Sequence, residues 1–327
     1  GWGVGLLCGR GTTALWLALR AIGRRDGLGE VILPDLLCET ALHGVLLAGF
    51  TPVFADVSTE RFTMAAESVA KLVTARTRAI VVVHLFGHMA ELDRIRGAAP
   101  GVPIIEDAVQ GLGGTTNDKP AGAGGDISFI SFDPNKMVRG RGGMVLVDDE
   151  TLVDGMRADL RKLPHVPDTM SGVDTLLHPR AAAAYGVQLR AFAPTLLQNF
   201  DDTQANVERI LADWDTLHER VEVRNRKARW LEAHLAGVPV GLPELREGDA
   251  IWRYTITVPR VVLAQRIMRQ MQAERLNVAG LYYPLSQFFG RATHAHALTN
   301  RLANLAVDEA ADEGALQRMV EIIHARA

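Results

Sequence analysis

Short runs of consecutive apolar residues, separated by segments of helical pattern as far as about residue 150, constrain this chain more than any other feature. They are Val31-Ile32-Leu33, Val53-Phe54-Ala55, Ile80-Val81-Val82-Val83, Ile104-Ile105, Ile127-Ser128-Phe129-Ile130 and Met144-Val145-Leu146-Val147. A strand that is apolar at successive positions is covered on both faces, the condition of a mainly parallel sheet flanked by helices. The expected class is therefore α/β. Between Arg161 and Arg180 the pattern breaks at Pro164, Pro167 and Pro179, which predicts a loop or a set of short helices. Helical stretches come next, around Leu189 to Leu197 and Val207 to Leu235, the second charged on its exposed face and long enough to bridge to a second domain. There Trp252-Arg253-Tyr254-Thr255-Ile256-Thr257-Val258 alternates as a strand does, and Leu316 to Ile323 reads as a closing helix. The expected division is a large domain over residues 1–215 and a small C-terminal α+β domain over 216–327.

With 327 residues, 48% of them hydrophobic, the chain can bury one large core and a smaller second one. A net charge of -3 offers no electrostatic case for nucleic acid or an anionic membrane surface. No apolar stretch approaches the length of a membrane span. Two cysteines, Cys8 and Cys38, make no disulfide framework, and a reducing cytoplasm is the expected setting.

Three segments carry chemistry. Gly9-Arg10-Gly11-Thr12-Thr13-Ala14-Leu15 is a glycine-containing turn that runs into an apolar helix. Such a helix start, with its free N–H groups and the hydroxyls of Thr12 and Thr13, attracts phosphate, although Thr before a helix is also an ordinary cap. Asp107 ends the apolar segment Ile104-Ile105-Glu106-Asp107, and Lys136 lies just past the strand that ends in Ser131-Phe132. Alone, the first reads as a helix cap and the second as a surface lysine. Together they suit a cofactor with an aldehyde and a pyridine ring: the amine condenses with the aldehyde, and the carboxylate keeps the ring nitrogen protonated. His294 and His296, and His84 and His88, are spaced as pairs without a third or fourth ligand, so no metal site is expected.

In this order the segments resemble the DegT/DnrJ/EryC1/StrS family of PLP-dependent aminotransferases. The resemblance runs from about Cys8 to Asp149 and then thins. It rests on Gly11-Thr12-Thr13-Ala14-Leu15, Glu30-Val31-Ile32-Leu33-Pro34, Ala48-Gly49-Phe50-Thr51-Pro52-Val53-Phe54-Ala55-Asp56 and Val83-His84-Leu85-Phe86-Gly87. Ile105-Glu106-Asp107-Ala108-Val109-Gln110, and Gly125-Asp126 through Ser131 and Lys136 to Gly140-Arg141-Gly142-Gly143-Met144, complete it. The resemblance implies the PLP-dependent transferase fold type I, with a mainly parallel seven-stranded sheet flanked by helices in the large domain. It also implies a homodimer with shared active sites, and residues ahead of Gly1 that normally precede the phosphate turn.

By the same resemblance, Lys136 carries pyridoxal 5'-phosphate (PLP) and moves the proton, with pyridoxamine 5'-phosphate as the amino-carrying form. Asp107 faces the pyridine nitrogen; Gly11, Thr12, Thr13 and Ser131 hold the phosphate. Gln110, expected one helical turn beyond Asp107, lies near the phenolic oxygen or is an exposed helix residue. Cys38 stands where the family often has an aromatic residue stacked on the ring, and can pack a thiol there. Gly186-Val187-Gln188-Leu189-Arg190 has glutamine where the family commonly has the asparagine that reaches the partner's phosphate. Gln188 either makes that contact from a longer arm or the contact is absent. Arg139 and Arg141, around Gly140, suit an anionic substrate or a solvated loop. Tyr282, next to Tyr283 and Pro284, reads as core or pocket wall.

The implied reaction passes an amino group from glutamate or glutamine to a keto sugar, commonly nucleotide-linked, or to a related small carbonyl. The competing readings are other carbanion chemistry on the same cofactor, and a non-catalytic PLP-binding regulator. In the family's sugar dehydratases a histidine replaces the lysine, so Lys136 favours transamination.

Overall fold

A computed structural model of the chain describes residues 3–165, 193, 195–290, 293 and 295–326. Strands β1 (Val4–Cys8), β2 (Glu30–Pro34), β3 (Thr51–Ala55), β4 (Thr77–Val83), β5 (Ile104–Asp107), β8 (Ile127–Ser131) and β9 (Gly143–Val147) form one seven-stranded sheet. A two-stranded hairpin, β6 (Thr115–Thr116) and β7 (Lys119–Pro120), lies apart from it. The order across the large sheet is β1-β9-β8-β5-β4-β2-β3; the pairs from β3 to β8 are parallel, and β9 runs antiparallel to both β8 and β1. Each of the six apolar runs read from the sequence lies in one of these strands, whereas β1 was not among them.

The reason for the unbroken apolar runs is visible in the packing. Val31, Leu33, Val81, Val83 and Ile105 join the core that includes Leu15, Leu17 and Ile22 of α1 (Gly11–Asp26). Their neighbours Ile32, Ile80, Val82 and Ile104 join a separate core on the other face, with Val69 of α3 (Ala66–Leu72) and Ile95 of α4 (Leu92–Ala98). Successive side chains of a strand point to opposite faces, so a sheet between two cores must be apolar at every position. Two further helices complete this half: α2 (Glu39–Leu47) against α1, and α5 (Val153–Leu160) against α1 and β1.

The stretch expected as one helix from Val207 to Leu235 is two, α6 (Gln204–Asp215) and α7 (Leu217–His234). At Thr216 the hydroxyl bonds back to the carbonyls of Ala212 and Asp213, the local competition by which a threonine bends or ends a helix. Past the break, Leu217 and Val221 still pack in the large core, and Ala228 is the first residue of a third core. That core lies under the antiparallel sheet β10 (Arg253–Thr257), β12 (Leu302–Ala306) and β11 (Val278–Ala279), in that order, with α8 (Val261–Ala273) and α10 (Glu313–Arg326). A short helix, α9 (Ala295–Thr299), precedes β12. Pro167, Pro179 and most of the stretch Leu189 to Leu197 lie outside the described residues. No helix among the described residues is long and apolar enough to cross a membrane.

Candidate active site

The carboxyl ends of β5 and β8 and the start of α1 converge on a cavity of about 310 Å3, the crevice where open parallel sheets take their ligands. Arg10 caps α1 with extended backbone and no side-chain cap bond, and the first turn holds no acidic residue. The opening N–H groups of a helix have no intrahelical partner, so this end of the cavity favours an anion. Gly11 keeps α1 close to β8: a Cβ there would stand a tight 3.1 Å from that of Ser131, the last residue of β8. Gly143 makes room in the same way, since its Cβ would come within 2.7 Å of the Arg10 carbonyl carbon.

Thr12 and Ser131 face the cavity, and the Ser131 hydroxyl accepts a bond from the Asp133 N–H at 3.4 Å. Thr13 does not. Its side chain turns inward, accepting from the Gln198 N–H at 3.1 Å and donating to the Leu196 carbonyl at 3.3 Å. It acts there as a strut between α1 and the segment at 196–198.

Asp107 and Lys136 line the same cavity. One Asp107 oxygen accepts the Val109 N–H at 3.0 Å, and burial pushes the carboxyl up to about 6. Beyond Asp107 the chain makes a series of turns rather than the expected helix. Gln110 is accordingly buried, not exposed: its Oε1 accepts from the Phe86 N–H at 2.8 Å, and its Nε2 donates to the Tyr282 hydroxyl at 3.0 Å. Tyr282 stacks on Phe86 at 6.0 Å, and burial pushes its phenol well above the usual range, so the wall keeps a hydroxyl proton. Cys38 also lines the wall, 3.1 Å from the Thr40 hydroxyl; burial raises its thiol, which stays protonated and uncharged.

The two arginines go elsewhere. Arg139 is held in a bidentate pair by Asp213 of α6, at 2.7 and 3.0 Å, and Asp213 also meets Arg220 at 2.8 Å. Arg141 lies 3.5 Å from Asp201 and lines a neighbouring cleft. Neither lines the cavity: Arg139 meets its acidic partner on α6 and Arg141 meets one in the loop before it. Gln188 lies outside the described residues. His84 and His88 bind separate carboxylates, Glu106 at 2.8 Å and Asp249 at 3.5 Å, and no group of three or more metal-binding side chains occurs among the described residues.

Arg10 and Trp252 are among the wall residues that escaped sequence reasoning. Arg10 sits inside the quoted phosphate turn, so its place was legible in principle. Trp252 arrives from the far end of the chain, with its indole ring 4.7 Å from the Lys136 Nζ. Nothing in its sequence context, the start of an alternating strand, marks it.

A strand-end aspartate, a lysine beyond the adjacent strand and a glycine turn at a helix start thus share one cavity, and residues 3–324 match the model of the DegT/DnrJ/EryC1/StrS aminotransferase family. The chain belongs to that family. GDP-perosamine synthase of Caulobacter vibrioides is 30% identical over 289 residues, which are 86% of this chain and 72% of that protein. The UDP-N-acetyl-3-dehydro-alpha-D-glucosamine 3-aminotransferase of Acidithiobacillus ferrooxidans is 29% identical over 98% of this chain and 83% of its own length. Among solved structures, a sugar aminotransferase from Micromonospora echinospora superposes with a TM-score of 0.78 at 23% identity, covering 98% of this chain and 87% of its own. The family match, read from the sequence between Cys8 and Asp149, therefore extends through the C-terminal half to residue 324, and the fold is shared over 98% of the chain.

Proposed function

We propose that this aminotransferase holds PLP in the cavity between β5, β8 and α1 and moves nitrogen from glutamate or glutamine to the keto group of a sugar carried on a nucleotide. The residues present fit the group. The glycine-lined turn at Gly11, with Thr12 and Ser131, offers anion donors at one end; Asp107 offers a buried carboxylate, with Lys136 on the same wall. When bound, the cofactor supplies an electron sink that acidifies the substrate carbon.

Asp107 would keep the ring nitrogen protonated. Its carboxyl is raised by burial to about 6, and a cation placed beside it would pull that value down, so ionisation and binding reinforce each other. Lys136 would attach the cofactor, give way to the amino donor, and carry the proton between carbons as general base and then general acid. Cys38 would pack on the ring face, Gln110 would bond near the phenolic oxygen, and Tyr282 would offer its proton to the substrate. Thr13 would act only through the fold. The same proposal includes a homodimer, a cytoplasmic setting, and residues 216–327 as the smaller domain.

The observation that carries the reading is Asp107 and Lys136 in one cavity with the α1 start. The relatives supply the acceptor class: the GDP-perosamine synthase and the UDP-N-acetyl-3-dehydro-glucosamine aminotransferase act, by their names, on GDP- and UDP-linked sugars. The test is the visible spectrum of protein with added PLP, for wild type and Lys136→Ala, before and after excess glutamate. The wild type should show a lysine-bound band that glutamate converts to the pyridoxamine form, and the variant should never form it. No band in the wild type would end the assignment of Lys136.

A further inference from the structure

Trp252 is the largest side chain in the cavity wall, and the reaction as described leaves it without a task. Its ring face lies 4.7 Å from the Lys136 Nζ, and its indole N–H donates at 2.8 Å to the carbonyl of Asn135, the residue before the lysine. We propose that Trp252 is a positioning residue, whose ring face is the resting place of the Lys136 ammonium and whose indole N–H fixes the loop that carries it.

The support is built to hold the ring still. The Trp252 N–H donates to the Phe86 carbonyl at 2.8 Å, and the Ala250 N–H donates to the Gly87 carbonyl at 3.0 Å. That contact needs glycine: Gly87 has φ +93°, and a Cβ there would come within 2.0 Å of the Ala250 carbonyl oxygen. Asn225 of α7 grips the segment by both backbone directions, accepting the Ile251 N–H at 2.9 Å and donating to the Asp249 carbonyl at 2.6 Å. The Asp249 carboxylate in turn holds the buried Arg61 guanidinium at 2.7 and 3.1 Å.

A lysine side chain has several rotatable bonds, and one released from its covalent partner would spread over many rotamers. An indole face attracts an ammonium and not a neutral amine. Trp252 therefore stabilises Lys136 in its proton-carrying form, beside the cavity, at the moment when the proton has been taken from the donor and not yet delivered.

The kinetic half of this inference rests on the proposed transamination; the structural half does not. The chain has five lysines, Lys71, Lys119, Lys136, Lys162 and Lys227, so protein labelled with 13C at lysine Cε gives a spectrum in which the Lys136 signal is assigned by its loss in Lys136→Ala. In cofactor-free wild type the Lys136 Hε signal should lie upfield of the other four through the indole ring current. Trp252→Leu should return it to the common position, and Trp252→Phe should keep part of the displacement. A wild-type signal at the common position, or one unmoved by Trp252→Leu, overturns the contact. In the second arm, single-turnover reaction with glutamate should slow by about tenfold in Trp252→Leu, with a larger isotope effect from Cα-deuterated glutamate, and Trp252→Phe should recover most of the rate. An unchanged rate in Trp252→Leu overturns the proposal. A Trp252→Phe variant as slow as Trp252→Leu overturns the ring-face half, because it would assign the effect to the indole N–H alone. Should the wild type itself fail to react with glutamate, transamination falls while the spectrum still decides whether the contact exists.

Discussion

Glu106 and Asp107 are consecutive residues of β5, both buried, yet they face opposite sides of the sheet and meet opposite fates. Glu106 accepts from His84 at 2.8 Å, from the N–H groups of Gly122, Gly124 and Gly125 at 2.7, 2.7 and 2.8 Å, and from the Ser128 hydroxyl at 3.2 Å. Burial alone would push its carboxyl up, but the bonds from His84, Gly122 and Gly124 outweigh it and hold it at about 2. His84 Nδ1 accepts the Ala90 N–H at 2.9 Å, so the ring proton sits on Nε2 and points at Glu106. Asp107 has the Val109 N–H, and burial prevails in its carboxyl. A carboxylate whose lone pairs are taken by the protein is part of the scaffold; one left short of donors in a cavity is ready for a ligand that brings its own.

The sharpest break of this comparison is Asp107→Asn, which should lower kcat/KM for transamination by about 10²–10³-fold, as loss of one preorganised electrostatic group commonly does. Its unfolding midpoint in urea should stay level or rise, since an underpaired buried carboxylate has been removed. Glu106→Gln should do the reverse, costing about 3 kcal/mol in urea unfolding by leaving several buried donors poorly matched, with activity per folded molecule within a few-fold of wild type. If both variants lost stability equally, the distinction between the two carboxyls would fail.

Titration separates the pair more gently. Asp107 is raised when folded, so between its ordinary value of 3.8 and about 6 the folded chain holds a proton the unfolded chain releases, and its contribution to stability declines as pH rises through that window. Glu106 is depressed, so its contribution is complete above 4.5 and is lost as pH falls toward about 2. PLP affinity should fall by about tenfold as pH drops one unit below 6, where Asp107 takes up a proton, and Asp107→Asn should flatten that slope; fluorescence titration of cofactor-free protein reads it. The smallest effect is expected at Arg139→Ala, where a partly exposed ion pair with Asp213 is worth about 0.5 to 1 kcal/mol by thermal unfolding, with transamination unchanged. A large loss of activity there would return Arg139 to the substrate site.

Asp107, Ser131, Lys136 and the turn at Gly11 could be named from the chain because the first two end strands, the lysine lies in the loop after the second, and Gly11 starts a helix, all elements whose pattern is itself readable. For Gln110 the sequence left an exposed helix position and a place near the cofactor both open; the structure buries it in the cavity wall through Phe86 and Tyr282, which arrive from distant segments. Thr13 and the two arginines show the opposite error. A hydroxyl in a phosphate turn and guanidinium groups near the lysine look functional on paper. Thr13 is turned by one step of rotation along α1 toward 196–198, and the arginines meet Asp213 of α6 and Asp201, partners that only the packing reveals.

Local pattern determined the α/β class and the six strands, because burial writes itself into successive residues of a strand, as in β2 to β5 with a core on each face, and the order of the motifs pointed to the family. Taken together and in order, the motifs also marked Asp107, which ends β5, and Lys136, in the loop after β8, as candidates. Tertiary structure decided which of two adjacent acids is satisfied by the protein and which lines the cavity, and it brought Trp252 to Lys136. Those outcomes depend on which hydrogen-bond donors and ring faces arrive from elements far away in the chain, and no local pattern encodes a partner 117 residues distant.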